Sequence, residues 1–153
     1  MANPYAAYLE SKVLAASPLE LVHLAYQGAI DAVMEARGHL AAGRIIERGR
    51  AITRAQQIIC ELLAALDYKK GGELSSRLAG LYKYMRRRLT DAHVKQADEP
   101  MAEVQGLLET IDAGWKELLI ADTPAVAAAI ASTASPWMVA TEAHGYSPAA
   151  YTL

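Results

Sequence analysis

Four stretches of this chain carry apolar residues at alternating steps of three and four, and residues that start or stop helices flank them. Such spacing keeps one face of a 3.6-residue helix apolar, and no other regular structure accounts for it over this length. The first stretch opens at Ser17-Pro18-Leu19-Glu20, with a capping hydroxyl, a Pro at the first helical position and a Glu able to reach back to the cap. Val22, Tyr26, Ala29, Val33, Ala36 and Leu40 then share one face, and Gly43 is placed to end the helix.

A second helix is expected from about Arg44 to Leu66, with two apolar seams. Ile45, Gly49, Ile52, Ile59, Leu63 and Leu66 form one, interrupted by Gln56; Ala51, Ala55, Ile58, Leu62 and Ala65 form the other. At about 100° per residue the seams merge into an apolar arc of roughly 160°, wider than a single buried stripe requires. Arg50, Thr53, Arg54, Gln57 and Glu61 occupy the opposite face. Gly71-Gly72 reads as an interhelical turn. A third helix repeats Leu74, Leu78, Leu81, Met85 and Leu89, with Ala79 and Tyr82 beside them. Asp98-Glu99-Pro100 opens a fourth, which carries Met101, Val104, Leu108, Ile111, Trp115 and Leu118. Four amphipathic helices joined by short turns imply an all-α, antiparallel up-down four-helix bundle.

Composition supports this fold class. The 153 residues are 53% hydrophobic but only 7% aromatic, with no Phe, and roughly a fifth of the chain is Ala, which favours closely packed helices over a β-sandwich. The length suits one core, giving an N-terminal leader (1–16), a bundle domain (17–121) and an Ala/Pro-rich C-terminal extension (122–153). Thr123-Pro124, Ser135-Pro136 and Ser147-Pro148 recur at twelve-residue intervals in the extension. A short fifth helix over 125–134 or a loosely ordered tail is expected there, with Trp137 and Met138 able to shield apolar surface in the same chain or across a homodimer.

The formal net charge of −2 argues against a general nucleic-acid or anionic-membrane binder, and Arg86–Arg88 is the one dense basic run. That run reads as the solvated flank of the third helix or as donors for a partner's carboxylates. A single Cys60 precludes an intramolecular disulfide and suits a reducing cytosol. No basic region precedes an apolar stretch at the N-terminus, and no apolar run is long enough to span a bilayer, so neither a signal peptide nor membrane insertion is expected.

No constellation announces catalysis. Glu20 and His23 have the spacing of half a carboxylate-bridged di-metal site, yet no second Glu-x-x-His pair exists and Glu20 already has a capping role. Gly71-Gly72 lacks the Lys-Ser/Thr of a phosphate loop, and Cys60 has no evident partner His. The expected sets of catalytic residues, metal ligands and cofactors are therefore empty. What remains is surplus apolar surface: Ala51, Ala55, Ile58, Leu62 and Ala65 on the second helix, with Leu74, Leu78 and Tyr82 on the third, are expected to form a groove for an amphipathic helix. An open groove of that size exceeds what a soluble monomer usually exposes, so Tyr5 and Tyr8 of the leader are expected to cover it.

Several motifs in order carry a family resemblance. Tyr5-Ala6-Ala7-Tyr8, Ala16-Ser17-Pro18-Leu19-Glu20-Leu21-Val22 and Leu24-Ala25-Tyr26-Gln27-Gly28-Ala29-Ile30 are followed by Arg54-Ala55-Gln56-Gln57-Ile58-Ile59. Leu66-Asp67, Lys70-Gly71-Gly72-Glu73-Leu74, Leu81-Tyr82-Lys83-Tyr84-Met85, Arg87-Arg88-Leu89 and Trp115-Lys116-Glu117 complete the set. Over about residues 5–120 the chain resembles the flagellar secretion chaperone (FliS) family. The resemblance implies a non-enzymatic cytosolic bundle that binds the C-terminal segment of flagellin, prevents early polymerisation and delivers the subunit to the flagellar type III export apparatus through a gate component. It also implies that Gln27 stands where the family often has an acid, which would weaken a local polar contact. Two other readings remain open: a helical adaptor or regulator for a different amphipathic helix, and a ferritin-like di-metal bundle around Glu20 and His23.

Overall fold

The computed structural model describes residues 4–8 and 17–121, which are helical with no strand among them. Residues 4–8 form a short helical segment, followed by α1 (Pro18–Ala41), α2 (Ile45–Ala64), α3 (Tyr68–Lys95) and α4 (Glu99–Ala121). The fifth helix expected over 125–134 and the shielding role expected of Trp137 and Met138 lie outside the described residues.

Local chemistry sets the boundaries. Ser17 Oγ accepts from the Glu20 amide at 3.3 Å while the Glu20 carboxylate accepts from the Ser17 amide at 3.3 Å, closing a reciprocal cap on α1. At its other end Gly43 takes φ 71°, and the Arg44 and Gly43 amides donate to His39 O (2.9 Å) and Leu40 O (3.2 Å). These bonds satisfy carbonyls that the helix leaves orphaned, and the left-handed residue they require is cheapest as Gly.

The turn into α3 differs from the expected one. It lies over residues 65–67, because Asp67 is the better cap: its carboxylate accepts from the Lys69 and Lys70 amides at 2.9 and 3.0 Å. Gly71-Gly72 instead marks a break one turn into α3, where Gly72 adopts φ 52° and ψ −127°. Ser75 Oγ donates to Asp67 O at 2.9 Å across that break.

The helices close into a ring: α1 packs on α2 and α4, and α3 packs on the same two. Cross-helix pairs give the directions. From His23 to Arg37 along α1, the α4-side partners fall from Asp112 to Gln105 and Asp98. From Arg48 to Gln56 along α2, the α3 partners fall from His93 to Thr90 and Arg86. Between α1 and α2, Gly28 faces Ile58 whereas Glu35 pairs with Arg54. Each of these pairs is antiparallel, which leaves α3 antiparallel to α4 as well.

The buried stripes follow the expected spacing closely. Val22, Tyr26, Ala29, Val33 and Ala36 of α1 are sealed, as are Met101, Val104, Leu108 and Trp115 of α4. On α3 the buried line runs through Ser75, Leu78, Tyr82, Met85, Leu89 and Ala92, leaving Leu74 and Leu81 on its edge. A fully buried Leu, Ile or Met contributes on the order of 1.5–3 kcal/mol, so this shared core dominates stability.

Two polar devices sit inside it. The Tyr26 and Tyr82 hydroxyls bond at 2.5 Å, and Trp115 presents its ring to Tyr26 with centroids 6.3 Å apart. Beside them the buried Asp112 accepts from His23 Nδ1 and Gln27 Nε2, each at 2.6 Å. Gln27 therefore makes, rather than weakens, the local polar contact, because an amide donates to a carboxylate and a second ionised carboxylate cannot. Glu20 is engaged at the cap and His23 at Asp112; among the described residues no group of three His, Cys, Asp or Glu side chains could hold a metal.

Two outcomes follow from these devices. Burial pushes the Tyr26 hydroxyl up to about 12, and burial together with the neighbouring Tyr26 raises Tyr82 further above its ordinary value. A raised phenol protects the fold at pH below the free value of 10 and withdraws that protection as pH climbs through the folded value. Denaturant midpoints should therefore fall between about pH 10 and 12, with the tyrosinate absorbance that Tyr26→Phe and Tyr82→Phe remove appearing only as helicity is lost. Separately, Gln27→Glu should cost roughly 1–3 kcal/mol at neutral pH by facing Asp112 with a like charge. Thermal melts at neutral pH should show the loss as a lowered midpoint.

Candidate functional site

The apolar arc of α2 has two destinations. Ile58 points towards α1, where a Cβ on Gly28 would lie 3.4 Å from its Cδ1. Ile52 and Ile59 are one turn either side of Gln56, whose amide donates to Arg86 O (3.0 Å) and Thr90 Oγ1 (2.9 Å) of α3. A helix in a four-membered ring has two neighbours, so an arc of roughly 160° is consumed in packing and leaves no whole seam free.

This places the eight expected groove residues in two groups. Ala51, Ala55, Leu62, Leu78 and Tyr82 belong to the interior, each no more than 5% exposed. Ile58 and Ala65 are half-buried, and Leu74 is 37% exposed. An open trough lined by all eight is thus absent from this structure. Nor do the accessible members meet: Ile58 is on the α1 side of α2, whereas Leu74 lies at heptad spacing from Leu81 and Arg88, and Arg88 Nε donates to Glu103 of α4 at 3.0 Å. Tyr5 and Tyr8 keep 63% and 60% of their surface accessible.

Other large apolar side chains are exposed, among them Ile45, which the periodicity placed in the first seam of α2. Ile45 and Ile46 begin α2 and Val94 nearly ends α3, so antiparallel packing gathers them at one end of the bundle. Tyr68, at the start of α3, is exposed at the opposite end near Leu74. No described helix is long and apolar enough to cross a membrane.

A groove of about 730 Å³ runs along the outer α2–α3 surface, bordered by Ile46, Arg50, Arg54, Gln56, Thr90 and His93. Gly49 sets its shape: a Cβ there would stand 3.2 Å from His93 Cε1, so the absent side chain lets the imidazole lie against α2. Arg48, almost wholly buried beneath it, donates to His93 Nδ1 (3.3 Å) and His93 O (3.4 Å). Arg54 bonds Glu35 at 2.9 Å, while Arg50 has no ion-pair partner among the described residues. In the Arg86–Arg88 run, Arg88 is taken up by Glu103, Arg87 stacks over Tyr84 and Arg86 is exposed. The arrangement is one of apolar and cationic surfaces suited to holding another polypeptide.

Comparison with known proteins fits that description. Residues 1–122 match the family model described as flagellar protein FliS. The flagellar secretion chaperone FliS of Salmonella typhimurium is 40% identical over 111 residues, spanning 72% of this chain and 82% of the relative. The flagellar secretion chaperone FliSB of Pseudomonas aeruginosa is 37% identical over 107 residues, covering 70% and 85% of the two chains. The flagellar secretion chaperone FliS of Bacillus subtilis is 32% identical over 117 residues, covering 76% and 86%. With a sealed helical ring, accessible apolar flanks and this extent of likeness, the chain belongs to the FliS family of flagellar secretion chaperones.

Proposed function

We propose that the protein is a cytosolic, non-enzymatic export chaperone that holds the C-terminal helical segment of flagellin, keeps the subunit from polymerising early and hands it to a gate component of the flagellar type III export apparatus. The observation that carries this reading is the match of residues 1–122 to a family whose relatives are named flagellar secretion chaperones. The accessible apolar flanks supply the physical means: a client helix burying them gains area, while ordering a disordered segment offsets part of that gain and keeps the complex reversible.

In this reading Ile58, Ala65 and Leu74 are the first contacts. Ala51, Ala55, Leu62, Leu78 and Tyr82 form the wall behind them, reached only where a helix of the ring shifts. Tyr5 and Tyr8 cover the vacant surface and yield to the client. Self-association through the residues beyond 121 is a second use of the same apolar chemistry.

Calorimetric titration of the full chain with a flagellin C-terminal segment tests the proposal. Binding should come with a gain in helical circular dichroism and a negative heat-capacity change, and no binding at tens of micromolar would overturn it. Ile58→Asp and Leu74→Asp should each weaken binding by about tenfold or more while helicity is kept. Leu78→Asp should instead lower the melting temperature of the free protein, since it places a carboxylate in the sealed interior.

A further inference from the structure

The near-neutral total charge conceals a segregation. α2 and α3 carry eleven Lys and Arg against four acids, whereas α1 and α4 carry two against eight. Because α2 and α3 are ring neighbours, as are α1 and α4, the bundle has a basic side and an acidic side. The groove described above lies on the basic side, and none of its lining residues is acidic.

The geometry points to a second docking site there, for an acidic amphipathic helix of a protein partner, separate from the flanks proposed for flagellin. Arg50 and Arg54 stand one turn apart on α2, the same spacing at which a partner helix presents two carboxylates on one face. Among the described residues Arg50 has no ion-pair partner, and Arg54 retains donors beyond its one bond to Glu35. Ile46, 67% exposed at the mouth of the groove, offers an apolar seat, and Gln57 and Thr53 offer neutral hydrogen-bonding groups beside it. Field and contact agree: the α1–α4 side repels an acidic helix and the α2–α3 side attracts it, which raises the encounter rate and fixes orientation. The mixed apolar and cationic lining favours a protein helix over a nucleic acid, for which this groove provides no Phe, Tyr or Trp platform.

The test uses the full chain and a labelled Ala/Leu peptide of about 18 residues with Glu pairs at i,i+4, followed by fluorescence anisotropy. The Glu peptide should bind with an affinity that falls as salt rises, and a Lys-substituted twin should not. Arg50→Glu should weaken Glu-peptide binding by about fivefold or more and leave the flagellin-segment titration unchanged, and adding Arg54→Glu should deepen the Glu-peptide loss to about tenfold or more. Both positions are exposed, and Arg50→Ala with Arg54→Ala should give a smaller loss at equal helicity. Absence of Glu-peptide binding below about 100 µM, or binding indifferent to charge reversal, would overturn the proposal. So would equally tight binding of single-stranded RNA of matched charge. Displacement of the probe by a synthetic peptide of residues 122–153 would overturn it in favour of the chain's own extension, and a solution mass that rises with concentration in the parent chain but not in the Arg50→Glu variant would do so in favour of a second copy seated on this groove.

Discussion

Every helix of this bundle has two neighbours, and its apolar surface must span both directions in which they lie. On α2 that requirement sends Ile58 towards α1 and sets Ile52 and Ile59 beside Gln56 on the α3 side, with Ala51, Ala55 and Leu62 buried between them. Small side chains make the closure tight. Gly28, Ala29, Ala32 and Ala36 on α1, together with Ala51 and Ala55 on α2, let these two helices form the most extensive interface of the ring. The larger groups Tyr26, Tyr82 and Trp115 then fill the centre where α1, α3 and α4 converge. Their hydroxyl pair and the adjacent Asp112 cluster add direction to an otherwise nonspecific apolar collapse.

Much of this was legible because it is local. The Ser17–Glu20 cap and the Gly43 stop act within one turn of themselves, and the three-four spacing reports the buried face of each helix directly. The supposed surplus on α2 was misjudged for a nonlocal reason. The width of an apolar arc states how many neighbours a helix has, and only the closed ring shows that both are internal. Asp112 and Arg48 were missed for the same reason: each is a charged residue in an inward position, made tolerable by partners 89 and 45 residues away. A faint signal for the first existed in the polar pair His23 and Gln27, four apart beside the Tyr26 stripe. Gly72 shows the converse, a strong turn signal captured by the better cap at Asp67.

The site is likewise divided. Membership of the flagellar secretion chaperone family rests on order and identity along the chain, whereas surface chemistry depends on which helices become neighbours. A formal charge of −2 gave no hint that the basic and acidic residues would part onto opposite sides. Helix-by-helix charge, read together with the ring order, makes that separation plain, and it bears on any chain that must engage more than one polypeptide at once.

Gln56 carries a last implication. It interrupts an apolar seam, yet its amide is held by a carbonyl and a hydroxyl one turn apart on α3. An unbroken greasy seam would let α2 slip along its neighbour by a turn with little change in buried area. A glutamine there works as a detent, since sliding in either direction gives up both of its bonds to α3. The two bonds of one amide therefore hold α2 and α3 in a single alignment.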